Sequence, residues 1–125
     1  MSQLPPFDPL DVAASTQEIR ATWLEIMELP VAANDGKVFQ YDLVSERLMK
    51  NAVTGWDTAN ITSMDWRLND NTVVNIDKTG LQAYIDELEL NRALRGFQVD
   101  QQYVAFKASG ATKRDLINWK ASYIL

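Results

Sequence analysis

The sequence contains no cysteine and no histidine among its 125 residues. Without cysteine there is no disulfide, no thiolate nucleophile and no cysteine-ligated metal. Without histidine the chain lacks the usual general base near neutral pH and the commonest transition-metal ligand. Ser-His and Cys-His catalysis are therefore excluded within this chain. We expect no enzyme, no cofactor and no bound metal, with catalysis by carboxylates or lysine alone as the formal alternative.

Clustered positive charge and long apolar runs are also missing. Twelve basic and seventeen acidic residues give a net charge of −5, and without a basic cluster nucleic-acid binding lacks its electrostatic basis. The apolar runs are too short to cross a bilayer, and the N-terminus has no signal-peptide core. We therefore expect no nucleic-acid or membrane partner, and a protein that folds in a cytoplasm as a single domain over 1–125.

Three of the four prolines lie within residues 1–14, around Phe7 and Leu10. This density of proline favours an extended N-terminal arm. One interpretation is a frayed terminus without a role. The other is an arm that places Phe7 and Leu10 on a neighbouring chain.

Two helix starts flank a short strand in the first half of the chain. Ser15 and Glu18 have the spacing of a capping box, which predicts a helix over 15–29 that ends before Pro30. Residues 38–41 have the composition of a strand. Asp42 then predicts the N-cap of a second helix, which Gly55 weakens or ends. Its expected apolar face is made of Val44, Leu48, Ala52 and Trp56.

Two alternating apolar runs around a short Asn/Asp turn predict a β-hairpin over 64–76. We expect five side chains of this hairpin to face the core: Met64, Trp66, Leu68, Val74 and Ile76. The strand at 38–41 is expected to join the hairpin in one small antiparallel sheet packed against helices. The predicted fold class is therefore α+β.

A long helix follows, from Asp77 or Thr79 toward residue 107, with a kink or break expected at Gly96. A last helix, opened by Thr112, is predicted within 111–125. At 100° per residue the long helix has two apolar stripes, Leu81, Ile85 and Leu88 on one face and Leu90, Ala93, Leu94 and Phe97 on the other. A helix that is apolar on two sides is buried on two sides.

The second stripe has two possible covers. The first is the pair of terminal helices of the same chain. The second is another chain, either a second copy or a different protein, since a domain of this length has few elements to spare. On the second alternative the partner-binding residues are Phe7, Leu10, Leu90, Leu94 and Phe97.

Residues 37–107 resemble a small domain of unknown function that is common in phages and prophages. That domain often forms the C-terminal part of tail-fibre assembly proteins and related tail proteins. The most specific part of the resemblance is the segment from Trp66-Arg67 to Asp70-Asn71. The other matching residues are Phe39-Gln40-Tyr41-Asp42, Ser45, Arg47, Leu48, Ala52, Thr72-Val73-Val74 and Leu81.

The resemblance implies a tail-fibre context and leaves residues 1–36 and 110–125 unexplained. It implies a chaperone that helps a fibre to assemble, or a small subunit that stays on the fibre. The implied partner is a phage tail-fibre protein, in a homo- or hetero-oligomer. The implied location is the host cytoplasm during assembly, with retention in the virion tail left open. The alternative is a structural virion or baseplate protein without a chaperone role.

Overall fold

A computed structural model describes residues 8–125, so Phe7 lies outside the described residues. The fold is α+β, as predicted, and the chain forms two compact units. The terminal unit comprises residues 8–26 and 98–124, and the central unit comprises residues 27–97 with Leu125. The elements in chain order are a 3-10 helix Pro9–Asp11, α1 Thr16–Met27, β1 Val31–Ala32, β2 Val38–Phe39, α2 Leu43–Thr54, α3 Trp56–Ala59, β3 Met64–Arg67, β4 Val73–Ile76, α4 Lys78–Ser109 and α5 Lys113–Ala121.

Both helix starts predicted in the terminal unit are confirmed by their capping hydrogen bonds. The Ser15 amide donates to the Glu18 carboxylate while the Glu18 amide donates to the Ser15 hydroxyl, both at 3.1 Å. Thr112 and Asp115 form the same reciprocal pair at the start of α5. These bonds satisfy backbone donors that the first turn of a helix leaves free.

Residues 8–14 contact α5 and the residue Ala111 before it, and do not extend away as an arm. Asp8 accepts a hydrogen bond from the Leu10 amide at 2.9 Å and, with proline at the first position, starts the 3-10 helix. Arg114 of α5 pairs with both Asp8 and Asp11. The Ala14 amide donates to the Ala111 carbonyl at 2.7 Å. Local capping and these ion pairs therefore replace the extended conformation that the prolines favour.

The central unit contains two separate antiparallel sheets of two strands each. β1 pairs with β2 through Val31 and Phe39, and β3 pairs with β4 through Trp66 and Val74. The prediction that β2 joins the hairpin in one sheet was therefore wrong. The turn between β1 and β2, closed by a 2.8 Å bond from the Ala33 amide to the Lys37 carbonyl, gives β2 a nearer partner.

The predicted inward face of the hairpin is confirmed. Leu68 and Ile76 are buried and Met64, Trp66 and Val74 are half-buried, while the intervening Asp65, Arg67, Val73 and Asn75 are exposed. Asn71, at φ 67°, closes the predicted turn in the left-handed region that asparagine tolerates. Because Trp66 is only half-buried, its truncation to alanine is expected to cost less than the ~3–5 kcal/mol of a buried tryptophan.

Asp42 caps α2, as predicted, by accepting the Ser45 amide at 2.8 Å. The predicted apolar face of this helix was only partly correct. Val44 and Leu48 are exposed, whereas Ala52 is half-buried and Trp56, at the start of α3, is buried. A spacing of four residues drifts by about 40° at each step, so a face drawn through such positions leaves the core after one or two turns. The buried side is centred instead on Met49, with the half-buried Ala52 and Val53 beside it.

Helix α4 runs without interruption from Lys78 to Ser109, so the expected break at Gly96 does not occur. Gly96 is buried, and a Cβ atom on it would lie 3.1 Å from the terminal methyl of Met27. The missing side chain therefore makes room for Met27. The close approach of Met27 explains why a glycine stands at the position where the sequence predicted a kink or break.

A hydrogen bond from the Tyr84 hydroxyl to Asp35, at 2.6 Å, ties α4 to the β1–β2 turn. This bond, followed by the amide and ammonium groups of Lys37, lowers the pKa of Asp35 from 3.8 to about 2. A folded-state pKa below the ordinary value contributes stability that is present above pH 3.8 and is lost as the pH falls toward 2. The pKa of Asp70 is also lowered, by its hydrogen bonds from Thr72.

We expect Tyr84→Phe to raise the pKa of Asp35 toward 3.8, because the substitution removes the largest cause of the shift. Carboxyl-carbon NMR during an acid titration measures this value directly. The Asp70 carboxyl is the internal control and should titrate as in the wild type. An unchanged pKa for Asp35 would contradict the Tyr84 hydrogen bond.

Candidate partner-binding surface

The two faces of α4 differ sharply in exposure within the central unit. Leu81, Ile85 and Leu88 are buried in the core beneath the sheets. Leu90, Leu94 and Phe97 are 59%, 61% and 68% exposed. The helix therefore has two apolar sides, as predicted, and the side that carries Leu90, Leu94 and Phe97 is exposed to solvent. We call Leu90, Ala93, Leu94 and Phe97 the α4 surface.

A chain of alternating charges fixes α2 against the segment of α4 that carries this surface. Lys50 of α2 bonds both Glu46 and Glu89, and Arg92 bonds Glu46 at 3.0 Å. Arg92 also donates to the Tyr41 carbonyl at 3.0 Å, and its guanidinium carbon lies 4.5 Å from the centre of the Tyr41 ring. The α4 surface is consequently carried by a helix whose neighbouring side is held at several points.

The pKa shifts of Glu46 and Lys50 favour the charged forms that their ion pairs require. The bond from Lys50, followed by that from Arg92, lowers the pKa of Glu46, and the two carboxylates raise the pKa of Lys50. Burial raises the pKa of Tyr41 to about 12, so its phenol stays neutral at physiological pH. Glu46 is thus held ionised, which suits an ion pair and disfavours donation of a proton as a general acid.

A second exposed apolar patch lies on α2 and was missed by the sequence analysis. Leu43, Val44 and Leu48 are 77%, 66% and 57% exposed. The sequence signal was present, because these residues share one side of the helix with Arg47 and Asn51 at 100° per residue. It was overlooked because Val44 and Leu48 were assigned to the core.

The other two predicted partner residues, Phe7 and Leu10, belong to the predicted N-terminal arm. Leu10 is half-buried in the 3-10 helix of the terminal unit, and Phe7 lies outside the described residues. The structure therefore groups Leu90, Leu94 and Phe97 on one helix face. The predicted contact of Phe7 and Leu10 with a neighbouring chain stays a prediction.

Metal binding and membrane insertion are two other classes of property that residues 8–125 can be checked for. No group of three or more acidic side chains in this part of the chain is arranged to hold a metal ion. None of its helices combines the length and the apolar character needed to cross a membrane.

Comparison with known proteins found no matching family model, no matching curated protein and no matching solved structure.

Proposed function

We propose that this chain acts by binding another protein chain through the α4 surface. The observation that carries the proposal is the exposure of Leu90, Leu94 and Phe97 on one side of a well-anchored helix. Large apolar side chains that are grouped on an exposed face often mark sites of protein association, whereas single exposed ones need no explanation. Phe97 is the natural anchor, because buried aromatic side chains contribute strongly to interface energies.

We propose further that the partner is a phage tail-fibre protein, and that this chain assists fibre assembly in the host cytoplasm or stays on the fibre. The support is the resemblance of residues 37–107 to the phage domain. A physical argument agrees with it, since fibre chains expose apolar faces and strand edges before they assemble, and a small acidic protein with an exposed apolar helix face can cover them.

The double variant Leu94→Asp/Phe97→Lys should abolish association with the partner and leave the fold intact. Both side chains are exposed, so their replacement by charges removes little core packing but places unpaired charge in an interface. Co-purification with the fibre protein, together with circular dichroism, measures both effects.

Val44→Asp/Leu48→Lys is the matched control, because it makes the same change on the exposed patch of α2. This control should bind the fibre protein like the wild type. If both variants bind normally, the α4 surface is not the binding site. If both variants lose binding equally, general surface hydrophobicity rather than this helix face drives association.

A further inference from the structure

The exposed side of α4 continues from the α4 surface toward the start of the helix, within the central unit. Its positions recur at alternating intervals of three and four residues, and they lie within about 80° of one another on the helix. The positions are Ala83, Asp86, Leu90, Ala93 and Phe97, all exposed. At the rise of an α-helix this row is about 21 Å long.

A row with this spacing matches a second helix better than a strand. Its members recur about every 5 Å along the axis, as do the facing side chains of another helix that lies nearly parallel to it. Side chains on one face of a strand recur about every 6.6 Å, so over the length of the row they would fall about one position out of step. A strand would also find no backbone partner, because amides inside a helix are bonded within it.

Asp86 lies in a hollow beside this row, between α2 and the first turns of α4. Six residues line the hollow: Val53, Lys78, Thr79, Gln82, Ala83 and Asp86. Asp86 accepts a hydrogen bond from the Gln82 amide at 3.0 Å, and no cation within residues 8–125 pairs with it. Lys78 pairs instead with Asp57 at 3.1 Å. The hollow therefore combines apolar side chains with a carboxylate whose charge is not compensated.

We propose that the α4 surface receives an α-helix of the fibre protein, which lies lengthwise along α4 and places a lysine or arginine in this hollow. The aliphatic stem of that side chain packs on Val53 and Ala83, and its charged end pairs with the Asp86 carboxylate. Apolar residues farther along the same helix meet Leu90 and Phe97. The proposal rests on the proposed function, because it names the element of the partner that occupies the α4 surface.

Asp86→Asn and Asp86→Lys test the charge at this end of the row. We expect the Kd for the fibre protein to rise about threefold for Asp86→Asn and about tenfold for Asp86→Lys, because the first change removes an exposed ion pair and the second opposes the charge of the partner. The difference between the wild type and Asp86→Asn should shrink to less than about 1.5-fold in about 0.5 M salt, which screens an exposed pair. Isothermal titration calorimetry with the full-length proteins measures each Kd.

Asp65→Asn and Asp65→Lys are the matched controls and should bind like the wild type. Asp65 is also exposed, and it likewise accepts a hydrogen bond from a side-chain amide, that of Asn75, at 2.9 Å. Equal losses at Asp65 and Asp86 would mean that overall charge drives binding, which would overturn the proposal. Circular dichroism confirms that the variants are folded.

The Leu94→Asp/Phe97→Lys variant separates failure of this proposal from failure of the proposed function. If it loses binding while both Asp86 variants bind normally, the α4 surface is the binding site and the proposed cation is wrong. If it binds normally, the proposed function fails, and the inference about its partner helix fails with it.

Hydrogen exchange of the fibre protein in the complex tests whether the bound element is a helix. A helix that covers the row gives a contiguous run of about 14 protected amides, since its backbone bonds are made within it. An extended segment covers the same length with about six residues, and its amides stay open to water because α4 has no free backbone groups to pair with. Protection of so short a run, or of none, would overturn the proposed helix.

Discussion

Replacement of Phe39 by alanine is expected to lower the free energy of unfolding by about 3–5 kcal/mol. Phe39 is fully buried, and its ring lies 4.9 Å from that of Tyr84 between centroids. It also joins the β1–β2 pair to the core shared by Met49 and Leu81. The truncation therefore removes apolar contacts and leaves a cavity that the short sheets can only partly close. Urea unfolding followed by tryptophan fluorescence measures the loss.

Phe97→Ala is the matched control, because it makes the same chemical change at a ring that is 68% exposed. Its free energy of unfolding should stay within about 0.5 kcal/mol of the wild type in dilute solution. Equal losses at the two positions would mean that Phe97 packs in the core of its own chain. The proposed α4 surface would then not exist.

Features that depend on neighbours in sequence were predictable in this protein. The caps at Ser15, Asp42 and Thr112 each depend on a side chain and an amide three residues apart. The hairpin register is similarly local, because alternation has a period of two and the turn at Asn71 fixes which residues face each other. In each case the chemistry that forms the element lies within a few residues of it.

Features that depend on distant packing were not predictable. β1 is only two residues long, so its sequence has no alternation to detect. It pairs with β2, which the sequence analysis had expected to pair with the hairpin. The space at Gly96 is filled by Met27, which is 69 positions away in the sequence. From sequence alone a glycine in a helix suggests a break, because the side chain that fills its place cannot be seen.

The α4 surface lies between these extremes. The sequence placed Leu90, Leu94 and Phe97 on one face and left two covers open. The structure leaves that face exposed. It also leaves Val44 and Leu48 of α2 exposed, although the sequence analysis assigned them to a face that packs on the core. Periodicity identifies a stripe, but only packing decides whether a stripe reaches the core.

Arg95→Met is expected to lower the free energy of unfolding by about 2–4 kcal/mol, because a charged donor that serves several carbonyls contributes more than a neutral hydrogen bond. The Arg95 guanidinium donates to the carbonyls of Leu29 and Pro30 at 3.0 Å and of Met27 at 3.1 Å. These carbonyls belong to the last residue of α1 and to two residues within three positions beyond its end, where a helix leaves acceptors without partners. Methionine keeps the apolar stem, so the loss reports the missing donors rather than a cavity.

Two further variants separate the donor geometry of Arg95 from its charge. Arg95→Lys keeps the charge near the end of α1, but a single ammonium group cannot reproduce the planar fork that reaches three carbonyls, so an intermediate loss is expected. Arg47→Met makes the same change at an exposed arginine of α2 and should alter stability by no more than about 0.5 kcal/mol. If lysine fully replaces Arg95, attraction of a positive charge to the C-terminal end of α1 is sufficient. If Arg95→Met unfolds at the same urea concentration as Arg47→Met, the three hydrogen bonds from Arg95 contribute nothing measurable to stability.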